Sequence, residues 1–139
     1  MNNRMRMITA SFLIKDLLIN WRIGEQYFMS KLIDGDFSAN NGGWRCIAST
    51  GVNSLPYFHI INPTNQGKKF DQEGIFIKNY IPELKNIPLS NIFNPHAWSK
   101  KTGIKINYPT PIINHAITKK IFLSTYTSAY LSNKNKKNK

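Results

Sequence analysis

The sequence predicts an all-α domain with long ordered loops. Apolar residues recur at spacings of three and four along several stretches, which is the pattern of amphipathic helices. No stretch shows the alternation of apolar and polar residues that indicates a β-strand. With 139 residues, of which 41% are hydrophobic, the chain is long enough for one packed domain and too short for two full ones.

The first predicted helix runs from Asn3 to Ile19. Its apolar stripe consists of Met5, Ile8, Phe12, Leu13, Leu17 and Leu18. Arg4 and Arg6 fall near the first turn, where the helix dipole disfavours cations. We therefore expect a carboxylate or another anion to compensate this charge.

A polar loop is predicted after the second helix, which runs from Arg22 to Leu32. The loop begins with the turn residues 33–36, and a second break follows at Asn40–Gly43. An asparagine amide there is expected to cap a short helix from Trp44 to Ser49. Two carboxylates, two amides and an indole on one loop suit a flat heterocycle with a polar edge. The alternative is a capped turn with surface carboxylates.

The remainder of the chain reads as loops around two further helices. Residues 51–67 are predicted to form an ordered loop, and a helix begins near Gly74 and ends near Pro82. Residues 85–114 are mostly loop, with a turn near 95–99. A final helix covers His115 to Leu131, so that the domain spans 1–131 and a disordered lysine-rich tail spans 132–139.

The net charge of +12 is unevenly distributed. All seven acidic residues lie before Leu84, and the ten lysines that follow are unopposed. Such a field favours polyanions, nucleic acid first, and predicts salt-sensitive binding. The alternative is a solvated surface that is merely rich in lysine.

Several function classes are disfavoured by the sequence. Cys46 is the single cysteine and lacks a nucleophile motif, so no intrachain disulfide is expected and a reducing compartment, the cytoplasm, is predicted. The apolar stretch 8–14 is too short to cross a bilayer, so no membrane partner is expected. His59, His96 and His115 lack the close spacing of a zinc site, so no metal is expected.

Short motifs in a fixed order run along nearly the whole chain. They are Asn3–Arg22, Gly24–Glu25, Leu32–Asp36, Ala39–Trp44, Ala48–Gly51, Pro56–Phe58, Asn62–Pro63, Gly67–Asp71, Pro82–Leu84 and Tyr108–Ile112. In these motifs the sequence closely resembles the C-terminal half of the helical FAD-binding domain of DNA photolyases of the cyclobutane pyrimidine dimer class, within the photolyase and cryptochrome family.

This resemblance implies a DNA photolyase, a carbon–carbon lyase that repairs DNA with light. In that family a reduced FAD excited by blue light donates an electron to a cyclobutane pyrimidine dimer flipped out of the duplex. The dimer splits and the electron returns. DNA containing pyrimidine dimers is therefore the expected substrate.

The resemblance also assigns roles to residues around the cofactor. Arg6, Asp34 and Asp36 match the residues that bind the flavin, with Arg6 paired to Asp34. Asn40 matches the asparagine that faces the reactive ring nitrogen, where plant-type cryptochromes commonly carry an acid, so repair is favoured over signalling. Trp44 and Trp21 match the proximal and middle members of the electron-transfer chain.

A second set of residues matches positions that contact DNA. Asn3, Arg4 and Met7 correspond to residues that meet the lesion and its phosphates. Enzymes for the other pyrimidine photoproduct usually carry histidine in place of Asn3 and Met7, so a cyclobutane dimer is the expected substrate. Cys46 replaces a tryptophan that stacks on the lesion, a loss of roughly 1 to 3 kcal/mol, or about 5- to 150-fold in affinity. His59 replaces a common arginine.

The resemblance covers only part of the family's length. The N-terminal domain that would carry an antenna chromophore and the first half of the flavin domain have no counterpart here. We therefore expect a fragment, half of a split gene or a decaying gene, which binds FAD weakly and is inactive without a separate N-terminal fragment. The alternatives are a non-catalytic remnant or basic nucleic-acid-binding protein and, third, a cryptochrome-like photoreceptor.

Overall fold

The computed structural model describes residues 1–52 and 56–137, with side chains described through Ser132. Within those ranges the secondary structure is helical, without strands, and the predicted all-α class is confirmed. The α-helices are α1 (Asn3–Ser11), α2 (Trp21–Lys31), α3 (Phe37–Ile47), α4 (Pro63–Phe70), α5 (Ile75–Tyr80), α6 (Pro95–Thr102) and α7 (His115–Lys137).

The chain divides into two compact units. The first comprises Met1–Ile61 and Ile113–Lys139 and contains α1, α2, α3 and α7. The second comprises Asn62–Ile112 and contains α4, α5 and α6 with two short 3₁₀ turns, Pro82–Leu84 and Leu89–Asn91. All the residues proposed from the sequence for cofactor or DNA contacts belong to the first unit.

Helix α1 passes directly into a π-helical turn, Phe12–Asp16. The Asn2 side chain caps the start of α1 by accepting a hydrogen bond from the Met5 N–H at 3.0 Å. The predicted helix to Ile19 is therefore too long. It ends early because Leu18 adopts the left-handed conformation, with φ of 56°, which an α-helix cannot continue through.

The predicted loop at Asn40–Gly43 is wrong, because α3 runs through it. Asp36 caps this helix, with its Oδ1 accepting a hydrogen bond from the Ala39 N–H at 2.7 Å. The helix buries Asn40, Trp44 and Ile47 on one face. Burial of that face offsets the cost of a glycine in a helix interior, about 0.5 to 1 kcal/mol relative to alanine.

The core of the first unit is built around Trp44. The buried cluster consists of Ala10, Ile14, Phe28, Trp44, Ile47 and Ala48. The Phe28 ring meets the Trp44 ring edge-on, with centroids 5.0 Å apart. Helix α7 adds Phe122 to this cluster. The core therefore joins all four helices of the unit.

Helix α7 packs against the π-helical turn and forms polar contacts with it. The buried Asp16 carboxylate accepts hydrogen bonds from the His115 ring, at 2.5 Å, and from the Thr118 hydroxyl, at 3.1 Å. The helix continues past Leu131 to Lys137. The predicted end was too early because the segment contains no glycine or proline and its lysines are good helix formers. Residues 138 and 139 lie outside the described part of the chain.

The second unit contains more helix than the sequence predicted. Helix α4 begins inside the predicted loop because Asn62 caps it, accepting from the Asn65 N–H at 3.1 Å. The predicted helix near Gly74 is confirmed as α5. The predicted turn at 95–99 is the first part of α6, which Gly103 ends with φ of 73°. Helices α4 and α6 both begin with a proline in the first turn, a position that favours a helix start, whereas proline in a sequence otherwise indicates a loop.

Substitution of Asp36 tests the cap that starts α3. We expect Asp36→Ala to lower the free energy of unfolding by about 1 kcal/mol, because an N-terminal N–H of the helix loses its acceptor. Asp36→Asn keeps an acceptor and should cost much less. Urea unfolding followed by far-UV circular dichroism measures both variants, and equal losses would contradict the capping role.

Candidate functional site

A cleft between α1 and α3 gathers residues that the sequence assigned to two different roles. It encloses about 70 Å³. Its lining consists of Asn3, Arg6, Met7, Ala10, Ala39, Asn40, Gly43, Trp44 and Ile47. Asn3 and Met7 are candidates for the lesion contact, whereas Arg6, Asn40 and Trp44 are candidates for cofactor contact and electron transfer. The structure thus brings the two groups to one place.

Arg6 forms the polar rim of this cleft. Its Nη2 donates a hydrogen bond to Asp34 Oδ2 at 2.6 Å, and its Nε donates to the Met1 carbonyl at 2.9 Å. The predicted anion beside the first turn of α1 is therefore confirmed as Asp34. The hydrogen bond from Arg6 lowers the pKa of the Asp34 carboxyl below its ordinary value. This ion pair connects α1 to the turn after α2.

Asn40 lies at the buried end of the cleft, with 6% of its surface exposed. Its Nδ2 donates to the backbone carbonyl of Glu25 at 2.9 Å and to the Glu25 carboxylate at 3.3 Å. Its Oδ1 accepts a hydrogen bond from Trp44 Nε1 at 3.1 Å. These bonds hold the amide in one orientation and fix the Trp44 indole beside it.

The Trp44 ring can lie this close to α2 because residue 24 is glycine. A Cβ on Gly24 would lie no more than 3.0 Å from three carbons of the indole. Real Cβ atoms do not approach other atoms so closely, so the ring would have to move. Gly24 therefore determines where the indole sits relative to Asn40.

Trp21 and Asp36 lie outside the lining of the cleft. Trp21 packs against the core cluster that contains Trp44, and the Arg22 guanidinium lies 4.9 Å from the centre of its ring. Asp36 is exposed and caps α3. The structure thus gives Asp36 a structural role at the end of the helix that carries Asn40 and Trp44.

The remaining candidates for DNA contact are spread over other surfaces of the first unit. Arg4 is exposed on α1. Cys46 lies on another face of α3, in an open depression of about 390 Å³ shared with Gly42 and Arg45. His59 is exposed on the loop that follows α3. The cleft therefore gathers Asn3 and Met7 but not these three side chains.

Sequence reasoning missed the role of Glu25. This carboxylate is buried and receives the Asn40 amide. A signal was present: Glu25 falls on the apolar stripe of α2, four residues after Trp21 and three before Phe28. A charged residue in such a stripe calls for a buried partner.

Neither a metal centre nor a membrane span is found in the parts of the chain that the structure describes. Across residues 1–52 and 56–137, no three His, Cys, Asp or Glu side chains gather at a metal-binding distance. In the same ranges, no helix combines the length and apolar character needed to cross a membrane.

Replacing Gly24 tests the placement of Trp44. We expect Gly24→Ala to lower the free energy of unfolding by about 1 to 3 kcal/mol, because the added methyl overpacks the core. It should also change the near-ultraviolet circular dichroism of the indole. The matched control is Gly42→Ala on α3, where an added Cβ meets nothing within 4 Å. Equal changes in stability and in the indole spectrum of the two variants would contradict this role of Gly24.

The Arg6–Asp34 pair predicts an acid-dependent contribution to stability. Because the pKa of Asp34 is lowered by Arg6, this contribution is complete above the ordinary pKa of 3.8 and is lost as the pH falls through the lower folded value. We expect wild type to be more stable than Asp34→Asn at about pH 6, and this difference to shrink as the pH falls below 3.8. Urea midpoints across that range measure it, and a constant difference would refute the assignment.

Comparisons with known proteins agree on one family. The family model for the FAD-binding domain of DNA photolyase matches residues 1–128. The deoxyribodipyrimidine photo-lyase of Buchnera aphidicola subsp. Acyrthosiphon pisum is 56% identical over 131 residues, which are 94% of this chain and 27% of that protein.

Two solved structures share the fold. The class III photolyase of Agrobacterium tumefaciens superposes with a TM-score of 0.81 and 40% identity, over 92% of this chain and 28% of that one. The cryptochrome of Synechocystis sp. PCC6803 superposes with a TM-score of 0.78 and 34% identity, over 89% of this chain and 27% of that one. The chain therefore spans little more than a quarter of each relative's length. From this agreement of sequence and fold, the chain belongs to the family of FAD-binding domains of DNA photolyases.

Proposed function

We propose that this chain is part of a deoxyribodipyrimidine photolyase that uses FAD and light to split cyclobutane pyrimidine dimers in DNA. The observation that carries the proposal is the cleft between α1 and α3. It brings Asn3 and Met7, which match lesion-contacting positions, beside Arg6, Asn40 and Trp44, which match flavin-site positions. An electron donor and its acceptor must lie close together, and one shared cleft meets that requirement.

The cleft fits one face of a flat heterocycle. Ala10, Ala39 and Gly43 give it a lining of small residues, and a Cβ on Gly43 would meet nothing within 4 Å. At about 70 Å³ it is too small for a whole dinucleotide, so these residues form one wall of a larger site. The chemistry that a bound, reduced FAD supplies in this family is light-driven transfer of one electron to the dimer and its return.

In this proposal Trp44 and Trp21 carry electrons to the flavin, and the polar residues of the chain hold the site. Asp34 lies outside the lining of the cleft but is bonded to Arg6 of that lining, and its carboxylate can accept a hydrogen bond from an N–H of a bound ring. Glu25 fixes the Asn40 amide, and the amide fixes the Trp44 indole. A fixed dipole and a fixed aromatic ring need no reorganisation when charge moves, which favours rapid electron transfer.

DNA is the proposed macromolecular partner, in the cytoplasm. The net charge of +12 supplies the attraction to phosphates, the exposed Arg4 contributes to it, and the exposed His59 ring can donate a hydrogen bond. A separate N-terminal photolyase fragment is the second proposed partner, since the relatives extend far beyond the matched segment. Any antenna chromophore would bind to that fragment.

Two other functions remain as alternatives. The similarity to a cryptochrome structure favours a photoreceptor, while Asn40 in place of an acid favours repair. The unopposed lysines after Leu84 favour a basic nucleic-acid-binding remnant. Preference for dimer-containing DNA and its repair in light separate the first proposal from both.

A chimaera tests the proposed function. In it, this chain replaces the matching 131 residues of the Buchnera photo-lyase. We expect the chimaera to bind FAD and to restore dimers to pyrimidines in blue light, whereas the chain alone should show no saturable FAD binding at micromolar concentrations. Absorbance of the bound flavin and the loss of dimers in irradiated oligonucleotides are the measurements.

A Cys46→Trp version of the chimaera separates a weak lesion site from an absent function. The added ring should tighten dimer binding by about 5- to 150-fold if it stacks on the lesion. A chimaera that binds FAD but repairs no dimers, with either residue at position 46, would refute the proposed function. Equal binding of damaged and undamaged duplex would favour the basic remnant.

A further inference from the structure

We propose that Lys15 is a positioning residue that holds the loop 56–61, and with it His59, in the conformation that contacts DNA. The inference rests on the proposed function, because His59 acts on DNA only if the protein binds DNA. Lys15 belongs to the π-helical turn and is absent from the residues assigned above to cofactor or DNA.

Lys15 is a buried cation that bonds to the loop backbone. It is 0% exposed. Its Nζ donates hydrogen bonds to the carbonyl of His59 at 3.0 Å and to that of Tyr57 at 3.5 Å. Among the described residues, no carboxylate lies within ion-pair distance of it. Burying an ammonium group costs desolvation free energy, and here its acceptors are backbone carbonyls of the loop. We explain this cost by the role of Lys15 in holding the loop in place.

Two further contacts hold the same loop to the first unit. The Ser11 hydroxyl accepts a hydrogen bond from the Ile61 N–H at 3.2 Å. The Tyr57 ring stacks on Tyr126 of α7, with centroids 4.5 Å apart and planes 9° apart. Lys15 donates its hydrogen bond to the carbonyl of His59, which lies between Tyr57 and Ile61 in the chain. The imidazole of His59 itself remains exposed, as a group that meets phosphate must be.

The charge of Lys15 makes this role measurable. Burial lowers the pKa of Lys15 to about 8, and electrostatic attraction to Cys46 of α3 opposes that shift in part. From α7 the uncharged Phe122 ring faces the amine, at 5.7 Å, while the adjacent Asp16 is engaged with His115. Below about pH 8 a full ammonium therefore holds the loop, and above it a neutral amine donates weaker hydrogen bonds.

Two consequences of deprotonation have opposite signs. Because the folded pKa is lowered from 10.5 to about 8, the unfolded chain binds more protons between these values, and the stability contribution of Lys15 rises with pH. Over the same pH range the hydrogen bonds from Lys15 to the loop carbonyls weaken. A residue that served stability alone would show no loosening of the loop.

The test compares Lys15→Met with Lys31→Met, which removes the same charge from an exposed helix end. Amide hydrogen exchange of residues 57–61, corrected for intrinsic rates, is measured in this chain at pH 7 and pH 9. Affinity for dimer-containing DNA is measured in the chimaera. At pH 7 we expect Lys15→Met to exchange faster in the loop by at least about 5-fold and to bind DNA about 3- to 10-fold more weakly, from the cost of reordering the loop.

At pH 9 the loop exchange rate of wild type should approach that of Lys15→Met. At pH 7 Lys31→Met should match wild type in loop exchange and in affinity for DNA. Unchanged loop exchange in Lys15→Met, or faster exchange with unchanged DNA affinity, would overturn the proposal while repair by the chimaera still upheld the proposed function. If Lys15→Met fails to fold, wild type alone tests the proposal. Loop hydrogen exchange in wild type that stays unchanged from pH 7 to pH 9 would overturn the proposal. A wild-type chimaera without affinity for DNA would overturn both.

Discussion

The close approach of Trp44 to helix α2 is the contact on which the first unit depends. Gly24 leaves room for the indole, Phe28 meets it edge-on, and Asn40 accepts its N–H. The same ring completes the core and lines the cleft. Stability and the candidate site are therefore coupled here, so a core change that shifts Trp44 also shifts the fixed amide beside it.

The sequence predicted the features that local signals determine. The all-α class followed from the spacing of apolar residues, and the second helix was found at 22–32 where the structure has Trp21–Lys31. An anion beside the first turn of α1 followed from two arginines in a position that the helix dipole disfavours. Its identification as Asp34 came from the resemblance, and the ion pair is present. The apolar spacing and the pair of arginines are local signals, because the residues that form each of them lie within one or two helical turns of each other in the chain.

The features that the sequence did not predict depend on tertiary contacts. Asn40 and the glycines after it have loop propensity, yet burial of one face of α3 and the Asp36 cap override that preference. The place of Glu25 on the apolar stripe of α2 indicates that it is buried, but no local pattern identifies the distant partners of Glu25 and Lys15. The site roles taken from the resemblance remain predictions, although Asn3, Arg6, Met7, Asn40 and Trp44 line a single cleft.

The π-helical turn also bears on the order in which the protein folds. Two consecutive residues of this turn find their partners far along the chain, Lys15 at His59 and Asp16 at His115, with sequence separations of 44 and 99 residues. Closing such long loops is entropically costly, and contacts of this range slow folding. During synthesis the turn leaves the ribosome well before His115 does. The acid at its end thus lacks its His115 partner until α7 begins to be made, so the contact that joins α7 to this turn forms late in synthesis.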